Sequence, residues 1–114
     1  MRENFNVGSQ ILLELYSVED ADFRRILESA LSSVGVRVVK YFKDSSDTYE
    51  RAGALLFDSH AFMYYFRAEG KLLIDVFTCS LDGEKHREYL SSIEEELLKR
   101  LDYKSLRRMF LQRG

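Results

Sequence analysis

Three short apolar runs follow one another in the middle of the chain, and they limit what it can fold into. They span Ala52–Asp58, Ala61–Arg67 and Lys71–Cys79, and each is rich in aromatic or β-branched residues. Only two or three residues separate neighbouring runs. Parallel strands need a crossover of a dozen or more residues, so connections this short imply antiparallel neighbours. We therefore predict three consecutive strands of an antiparallel sheet.

Helical periodicity is found on both sides of these runs. Ser17 and Asp20 form an S-x-x-D start, and apolar residues then recur along one side of a helix that ends at Gly35: Phe23, Ile26, Leu27, Ala30, Leu31 and Val34. A second helix is predicted to open at Leu81-Asp82-Gly83, with a buried stripe of Leu90, Ile93, Leu97 and Leu101. The two helices therefore each have one apolar side to bury.

Three further strands complete the prediction. Gln10–Tyr16 alternates apolar and polar residues, Val36–Phe42 is rich in valine and precedes a polar loop, KDSSDTYER, and a last strand covers Lys104–Gln112. The order is β-α-β-β-β-β-α-β. It predicts an α+β fold, a two-layer α/β sandwich with an antiparallel sheet and two helices on one face, in one domain of residues 1–114.

The sheet face away from the helices is also predicted to be apolar in part. Leu12, Leu73 and Phe77 alternate with residues that already face the helices. A face of this kind is expected to meet another subunit or a ligand.

Composition excludes several functional classes. The 17 basic and 19 acidic residues nearly cancel, and the basic C-terminal KSLRRMFLQRG is typical of the solvent side of an edge strand, so neither a nucleic-acid surface nor electrostatic lipid binding is predicted. No segment approaches the ~18 unbroken apolar residues of a membrane span, and MRENFNVG lacks a signal peptide's apolar stretch. The single cysteine, Cys79, has no partner for an internal disulfide. A cytoplasmic location is expected.

Polar residue spacing alone does not predict an enzyme. There is no G-x-G-x-x-G, P-loop or H-E-x-x-H motif, and His60, Cys79 and His86 are not at metal-ligand spacing, so no metal site is predicted. His86 is expected to be a solvated residue of the second helix. Cys79 is either half of a Cys-His nucleophilic pair with His60 or a small core residue.

A longer pattern changes this interpretation. The segment DSHAFMYYFRAEGKLLIDVFTCS resembles the signature of the bacterial and archaeal S-adenosylmethionine decarboxylases, E-S-H-x-[ST]-I-H-T-W-P-E followed without a gap by D-x-F-T-C. The positions that match in register are Ser59, His60, Asp75, Phe77, Thr78 and Cys79. GSQILLELY is also similar to the family's G-x-H-L-x-x-E-x-Y at Gly8, Glu14 and Tyr16. The resemblance extends over nearly the whole chain.

The resemblance implies a self-processing enzyme. The chain would break between Asp58 and Ser59, and Ser59 would become a pyruvoyl group, which forms a Schiff base with the substrate amine and accepts the electrons released as carbon dioxide leaves. Cys79 would be the proton donor, and His60, Phe62, Phe66 and Glu69 would contact the substrate. The product would supply aminopropyl groups for spermidine synthesis. The family implies a homodimer with its sites near the subunit interface.

Several positions depart from the family pattern. Asp58 stands for the cleavage-site glutamate, Tyr64 for the processing histidine, and Arg51 for a serine that assists processing. The family's W-P-E becomes Phe66-Arg67-Ala68, with Glu69 one position further on.

Two alternatives follow from these departures. In one, the same scaffold decarboxylates another amino acid, arginine or ornithine. In the other, the chain is a homologue that does not cut itself and serves as a binding or regulatory partner of an active relative.

Overall fold

The computed structural model describes residues 8–57, 59–78 and 83–113, and for 83–87 and 113 only the backbone. Along these ranges the elements follow the predicted order β-α-β-β-β-β-α-β, which confirms the fold class. They are β1 (Gly8–Tyr16), α1 (Phe23–Val34), β2 (Val38–Ser45), β3 (Tyr49–Leu56), β4 (His60–Phe66), β5 (Lys71–Thr78), α2 (Gly83–Leu98) and β6 (Ser105–Arg113).

The strands form one sheet in the order β2-β3-β4-β5-β1-β6, and every neighbouring pair is antiparallel. The three central runs are consecutive neighbours, as predicted. β1 lies between β5 and β6, with Ile11 opposite both Val76 and Phe110. The first and last strands of the chain are therefore paired near one edge of the sheet.

Both helices cover the same face of the sheet. Alternate strand residues such as Leu13, Met63 and Ile74 are buried against Leu27 and Leu31 of α1 and Ile93 of α2, within one apolar cluster. Burying an aliphatic or aromatic side chain contributes roughly 1.5–3 kcal/mol, so this cluster supplies much of the stability of the fold. The helix–sheet contacts confirm the two-layer sandwich.

The opposite face of the sheet carries no helix in the described residues, and we call it the open face. It consists of the strand residues that alternate with the buried ones, among them Leu12, Phe62, Tyr64, Leu73 and Phe77. Most of these residues are half-buried by their neighbours on the sheet. The prediction of a partly apolar second face is therefore confirmed.

The predicted start of the first helix is wrong. Ser17 has a left-handed backbone, with φ of 55°, and the helix begins at Phe23 with Asp22 as its N-cap. The Asp22 carboxylate accepts from the Arg25 amide at 3.2 Å. Residues 17–22 instead form a connection anchored by buried Val18, whose amide donates to the Gly70 carbonyl. Tertiary contacts thus override the local S-x-x-D pattern.

The polar loop KDSSDTYER is mostly strand. β2 runs to Ser45 and β3 starts at Tyr49, so only Ser46, Asp47 and Thr48 connect them. The Ser46 amide donates to the Tyr49 carbonyl at 2.9 Å and closes the hairpin. Most of β2 is exposed because it is an edge strand. Polar residues are tolerated in such a strand, so the polar composition of this segment did not indicate that it forms part of the sheet.

No helix within the described residues is long and apolar enough to span a membrane.

Candidate active site

A tight hairpin joins β3 to β4 at the segment predicted to be cut. Leu55 pairs with His60, and the Leu56 amide donates to the Ser59 carbonyl at 2.9 Å. Only Phe57 and residue 58 lie between that closing pair. Ser59 is therefore the residue at which the chain enters β4.

Phe57, the first residue of this connection, has a side chain that is 70% exposed.

Ser59 lies beside the C-terminal end of β5. His60 pairs with Phe77, so Ser59 and Thr78 are at corresponding ends of neighbouring strands. The Thr78 side chain is buried towards the helices. Two residues of the predicted site, Asp58 and Cys79, lie outside the described residues.

His60 lies on the open face beside the Asp75 carboxylate, which Gln10 also contacts. Its Nε2 lies 3.4 Å from Oδ1 of Asp75, on the adjacent strand. The same oxygen accepts a 2.8 Å hydrogen bond from Nε2 of Gln10, on β1. The Nε2 atom of His60 is itself buried and makes no well-aligned hydrogen bond within the described residues. Three strands thus bring His60, Asp75 and Gln10 together.

An aromatic row crosses the open face beside this group. Phe42 contacts Phe62 with ring centroids 5.6 Å apart, Phe62 stacks on His60 at 4.6 Å, and His60 lies 5.7 Å from Phe77. Gly53 lies beneath the first pair, where a Cβ atom would stand 2.4 Å from Cζ of Phe42. The contact between Phe42 and Phe62 therefore requires a glycine at position 53.

Tyr64 and Arg51 lie further along the same face. They are register partners on β4 and β3, and the Arg51 guanidinium forms an ion pair with Asp44 on β2 and lies over the Tyr49 ring. A depression of about 350 Å³ opens here. It is lined by Phe42, Asp44, Arg51, Ala52, Phe62, Met63 and Tyr64.

Within one chain, the structure does not bring all the predicted site residues together. At about 3.3 Å per strand residue, the backbone at Tyr64 lies about 16 Å from Ser59, and at Phe66 about 23 Å. Glu69 is exposed in the turn between β4 and β5, beyond Phe66. Of the described predicted residues, His60 and Phe62 are those close to Ser59.

A second carboxylate on the open face is tied to a different set of partners. The Tyr16 hydroxyl donates to Oε2 of Glu14 at 2.8 Å, and Nζ of Lys71 lies 3.6 Å from the same oxygen. The hydrogen bond from Tyr16 lowers the pKa of Glu14, and the charge of Lys71 acts in the same direction, against the effect of burial. Glu14 is therefore ionised at neutral pH.

Sequence reasoning missed two of the groups around His60. Asp75 appeared as a motif match without a role, because its contact with His60 depends on strand register. Gln10 carried no signal, since a glutamine in an alternating strand is ordinary. Within the described residues there is no cluster of three or more His, Cys, Asp or Glu side chains that could hold a metal ion.

Comparison with known proteins gives a match at the level of structure. The crystal structure of the adenosylmethionine decarboxylase from Aquifex aeolicus VF5 superposes with a TM-score of 0.76, covering 97% of this chain and 93% of that chain at 23% sequence identity. This chain has the fold of that decarboxylase. No family model matches the sequence. No curated protein matches it either.

The decarboxylase fold agrees with the resemblance drawn from the sequence motifs. Coverage of 97% means that the likeness includes both helices and all six strands that are described, rather than the hairpin alone. Fold does not by itself fix activity, which depends on the residues at the site.

Proposed function

We propose that this protein is a pyruvoyl-dependent decarboxylase that cuts itself between Asp58 and Ser59 and acts on S-adenosylmethionine, a small-molecule substrate. The observation that carries the proposal is the position of Ser59. It stands at a tight two-residue hairpin, beside the strand that carries the matching D-x-F-T residues, in a chain with the fold of an adenosylmethionine decarboxylase.

The hairpin suits the proposed cut. The Ser59 hydroxyl would attack the carbonyl of the preceding residue, the peptide C–N bond would break, and an ester would form. Elimination would then release residue 58 as a carboxylate and leave a dehydroalanine, which takes up water and loses its nitrogen as ammonia to give the pyruvoyl carbonyl. The hydrogen bond from the Leu56 amide holds the Ser59 carbonyl in place, so the serine is anchored while the bond before it reacts.

The surroundings of Ser59 suit the chemistry that a pyruvoyl group supplies, an electrophilic carbonyl that takes up the electron pair released as carbon dioxide leaves. Decarboxylation converts a charged carboxylate into a neutral molecule, so a water-poor surface favours it. The half-buried rings of Phe62 and Phe77 provide such a surface beside His60. Cys79, the proposed proton donor, directly follows Thr78 in the sequence, so it is expected at the same end of the sheet as Ser59.

We further propose that the working unit is a homodimer. Tyr64 lies about 16 Å along β4 from Ser59, farther than a tyrosine side chain spans, so it can assist only from a second chain. The open face, with Leu12, Phe62 and Leu73 half-buried, is the apolar surface available for that contact. Its pairing with a second copy would bring one chain's Tyr64 towards the other's site.

The test is the intact mass of the purified protein. We expect fragments 1–58 and 59–114, the second lacking its amino nitrogen, and no fragments from a Ser59→Ala variant that retains its fold. A single full-length species after long incubation of the wild-type chain would contradict the proposal. Release of labelled carbon dioxide from S-adenosylmethionine, compared with arginine and ornithine, then identifies the substrate.

One observation favours a different substrate on the same scaffold. In the family that the chain resembles, the glutamate of W-P-E contacts the ribose hydroxyls of the substrate, and its position here is Ala68, an exposed residue that offers no carboxylate. Arginine and ornithine have no ribose and need no such group. Preferential release of carbon dioxide from either amino acid would establish this alternative.

The replaced processing groups favour the second alternative, a homologue that is not cut. Arg51 and Tyr64 stand where the family has a serine and a histidine. An uncut chain that binds an active decarboxylase and changes its rate would establish a regulatory role.

A further inference from the structure

A carboxylate held by a second side chain lies beside His60 on the neighbouring strand. Oδ1 of Asp75 lies 3.4 Å from Nε2 of His60, and the amide of Gln10 donates to that same oxygen at 2.8 Å. Gln10 and Asp75 come from adjacent strands, β1 and β5, and His60 from the next, β4. The backbone register of three strands therefore sets this geometry, not a flexible loop.

The contact determines which nitrogen of a neutral imidazole carries the proton. A proton on Nε2 would be attracted by the Asp75 carboxylate 3.4 Å away, although the two atoms make no aligned hydrogen bond, whereas a lone pair there would be repelled by the negative oxygen. The Nε2 atom is buried, so solvent cannot compensate an unfavourable arrangement, and leaving a buried polar atom unpaired is costly. The neutral ring is therefore favoured with its proton on Nε2.

The other nitrogen then keeps its lone pair. Nδ1 is the ring nitrogen nearer to the backbone of its own residue, and the amide of His60 is the one joined to Ser59. The stacked rings of Phe62 and Phe77 restrain rotation of the imidazole about this position. The lone pair therefore belongs to the residue that directly follows Ser59 in the sequence.

We propose that Asp75, anchored by Gln10, is a positioning residue that fixes the Nε2-protonated tautomer of His60 and thereby leaves Nδ1 as a proton acceptor beside Ser59. The role rests on the proposed function, but the tautomer does not. Tyr64 is about 16 Å away along the strand, so it does not supply a proton acceptor at the Ser59 of its own chain.

The tautomer is measured by nitrogen-15 NMR of the imidazole in uncut Ser59→Ala protein at a pH where the ring is neutral. His86 is the only other histidine in the sequence, so a His86→Asn variant assigns the signals. We expect Nε2 to carry the proton. Adding Asp75→Asn should shift the population towards protonated Nδ1, because an asparagine amide can donate to Nε2. Glu14→Gln, which removes a carboxylate on the same face bound to Tyr16, should leave the His60 tautomer unchanged.

The effect of Asp75 and Gln10 on self-cleavage is measured in variants that keep Ser59 and are otherwise wild type. Asp75→Asn is expected to slow appearance of fragment 59–114 about tenfold or more, less than the roughly hundredfold to ten-thousandfold effect of removing a general base itself, and Gln10→Leu is expected to slow it less. A proton found on Nδ1 in Ser59→Ala, or an Asp75→Asn variant cut at the wild-type rate, would overturn the proposal. If the wild-type chain is never cut, the proposed function fails, while the Ser59→Ala spectra still decide whether Asp75 fixes the tautomer.

Discussion

Arg51 and Tyr64 are direct cross-strand neighbours, with the guanidinium carbon 6.0 Å from the centre of the phenol ring. They are also the two positions at which the sequence departs from the processing serine and histidine of the decarboxylase family it resembles. Residues opposite each other on one sheet face form a unit of side-chain packing. The two departures are therefore one local replacement rather than two independent ones.

This pairing predicts how family residues would behave at these positions. Tyr64→His combined with Arg51→Ser should speed self-cleavage more than either change alone, because each single variant leaves one foreign partner in place. The rate is followed by intact mass against time. Loss of Arg51 leaves Asp44 without its ion pair, but both side chains are nearly half exposed, so stability should fall by only about 0–1 kcal/mol. A double variant no faster than wild type would show that these positions do not limit processing.

Cys79 is predicted to act after the cut and not during it. Cys79→Ala should give fragments 1–58 and 59–114 at the wild-type rate and then release carbon dioxide more slowly, because the proposed proton donor is missing. Cys79→Ser is the matched variant, since the serine hydroxyl is similar in size to the cysteine thiol but is a much weaker acid. An alanine variant that is cut but turns over at the wild-type rate would remove Cys79 from the mechanism.

The open face is predicted to be the dimer contact. Leu73→Lys places a charge in the middle of this face, opposite Tyr64 on β4 and Glu14 on β1, and should convert the dimer to a monomer in analytical ultracentrifugation. Ser32→Lys adds the same charge at an exposed position of α1 and should leave the dimer intact. A wild-type chain that sediments as a monomer, or a Leu73→Lys chain that still dimerises, would contradict this contact.

Much of the fold was predictable from the sequence, and the errors share a physical cause. Alternation and helical spacing are local signals, and they predicted the central hairpins and both helices. The start of α1 was wrong because the Val18 contact with Gly70 is non-local. The predicted end of β2 at Phe42 was too early, because an edge strand needs few apolar residues and continues through polar residues to Ser45.

The candidate site was predictable only in part. Ser59 and His60 were proposed from the resemblance to the decarboxylase signature, whereas the arrangement of His60, Asp75 and Gln10 depends on the pairing of three strands. Residues 65 positions apart, such as Gln10 and Asp75, become neighbours only through that register. No spacing rule in a single sequence gives that information.

Gly53 is predicted to be required for the aromatic row. In Gly53→Ala the new Cβ would stand 2.4 Å from Cζ of Phe42 and 2.6 Å from Cδ1 of Phe62, so a ring must move. We expect a loss of about 1–3 kcal/mol in the free energy of unfolding, measured by urea denaturation.

The control for Gly53 is a double-mutant cycle. Phe42→Leu should recover part of the loss, with a coupling of about 0.5 kcal/mol or more. Gly35→Ala, whose new Cβ meets no atom within 4 Å, should lose stability through its left-handed φ of 83° alone and show no coupling to Phe42→Leu. Equal effects of Phe42→Leu in both backgrounds would disprove a clash at Gly53.

Tyr65 makes stability depend on alkaline pH. Its hydroxyl donates to the Val18 carbonyl at 2.8 Å, and burial, aided by the charges of Asp20 and Glu19, raises the pKa of the phenol. The folded chain then holds this proton more tightly than the unfolded chain. The stability that the folded chain gains from the protonated Tyr65 phenol is complete below the unfolded pKa of about 10 and is lost as pH rises through the higher folded pKa.

Tyr65→Phe should therefore have two effects. At pH 7 it loses one buried hydrogen bond, about 1 kcal/mol in the free energy of unfolding, while the ring contact with Phe23 is kept. Between pH 9 and 11 its stability should fall less steeply than that of the wild-type chain, because the phenol that held its proton is gone. Tyr89→Phe, at a more exposed tyrosine, controls for removing a phenol from the chain. Parallel wild-type and Tyr65→Phe profiles above pH 9 would show that the buried Tyr65 hydroxyl does not link stability to pH.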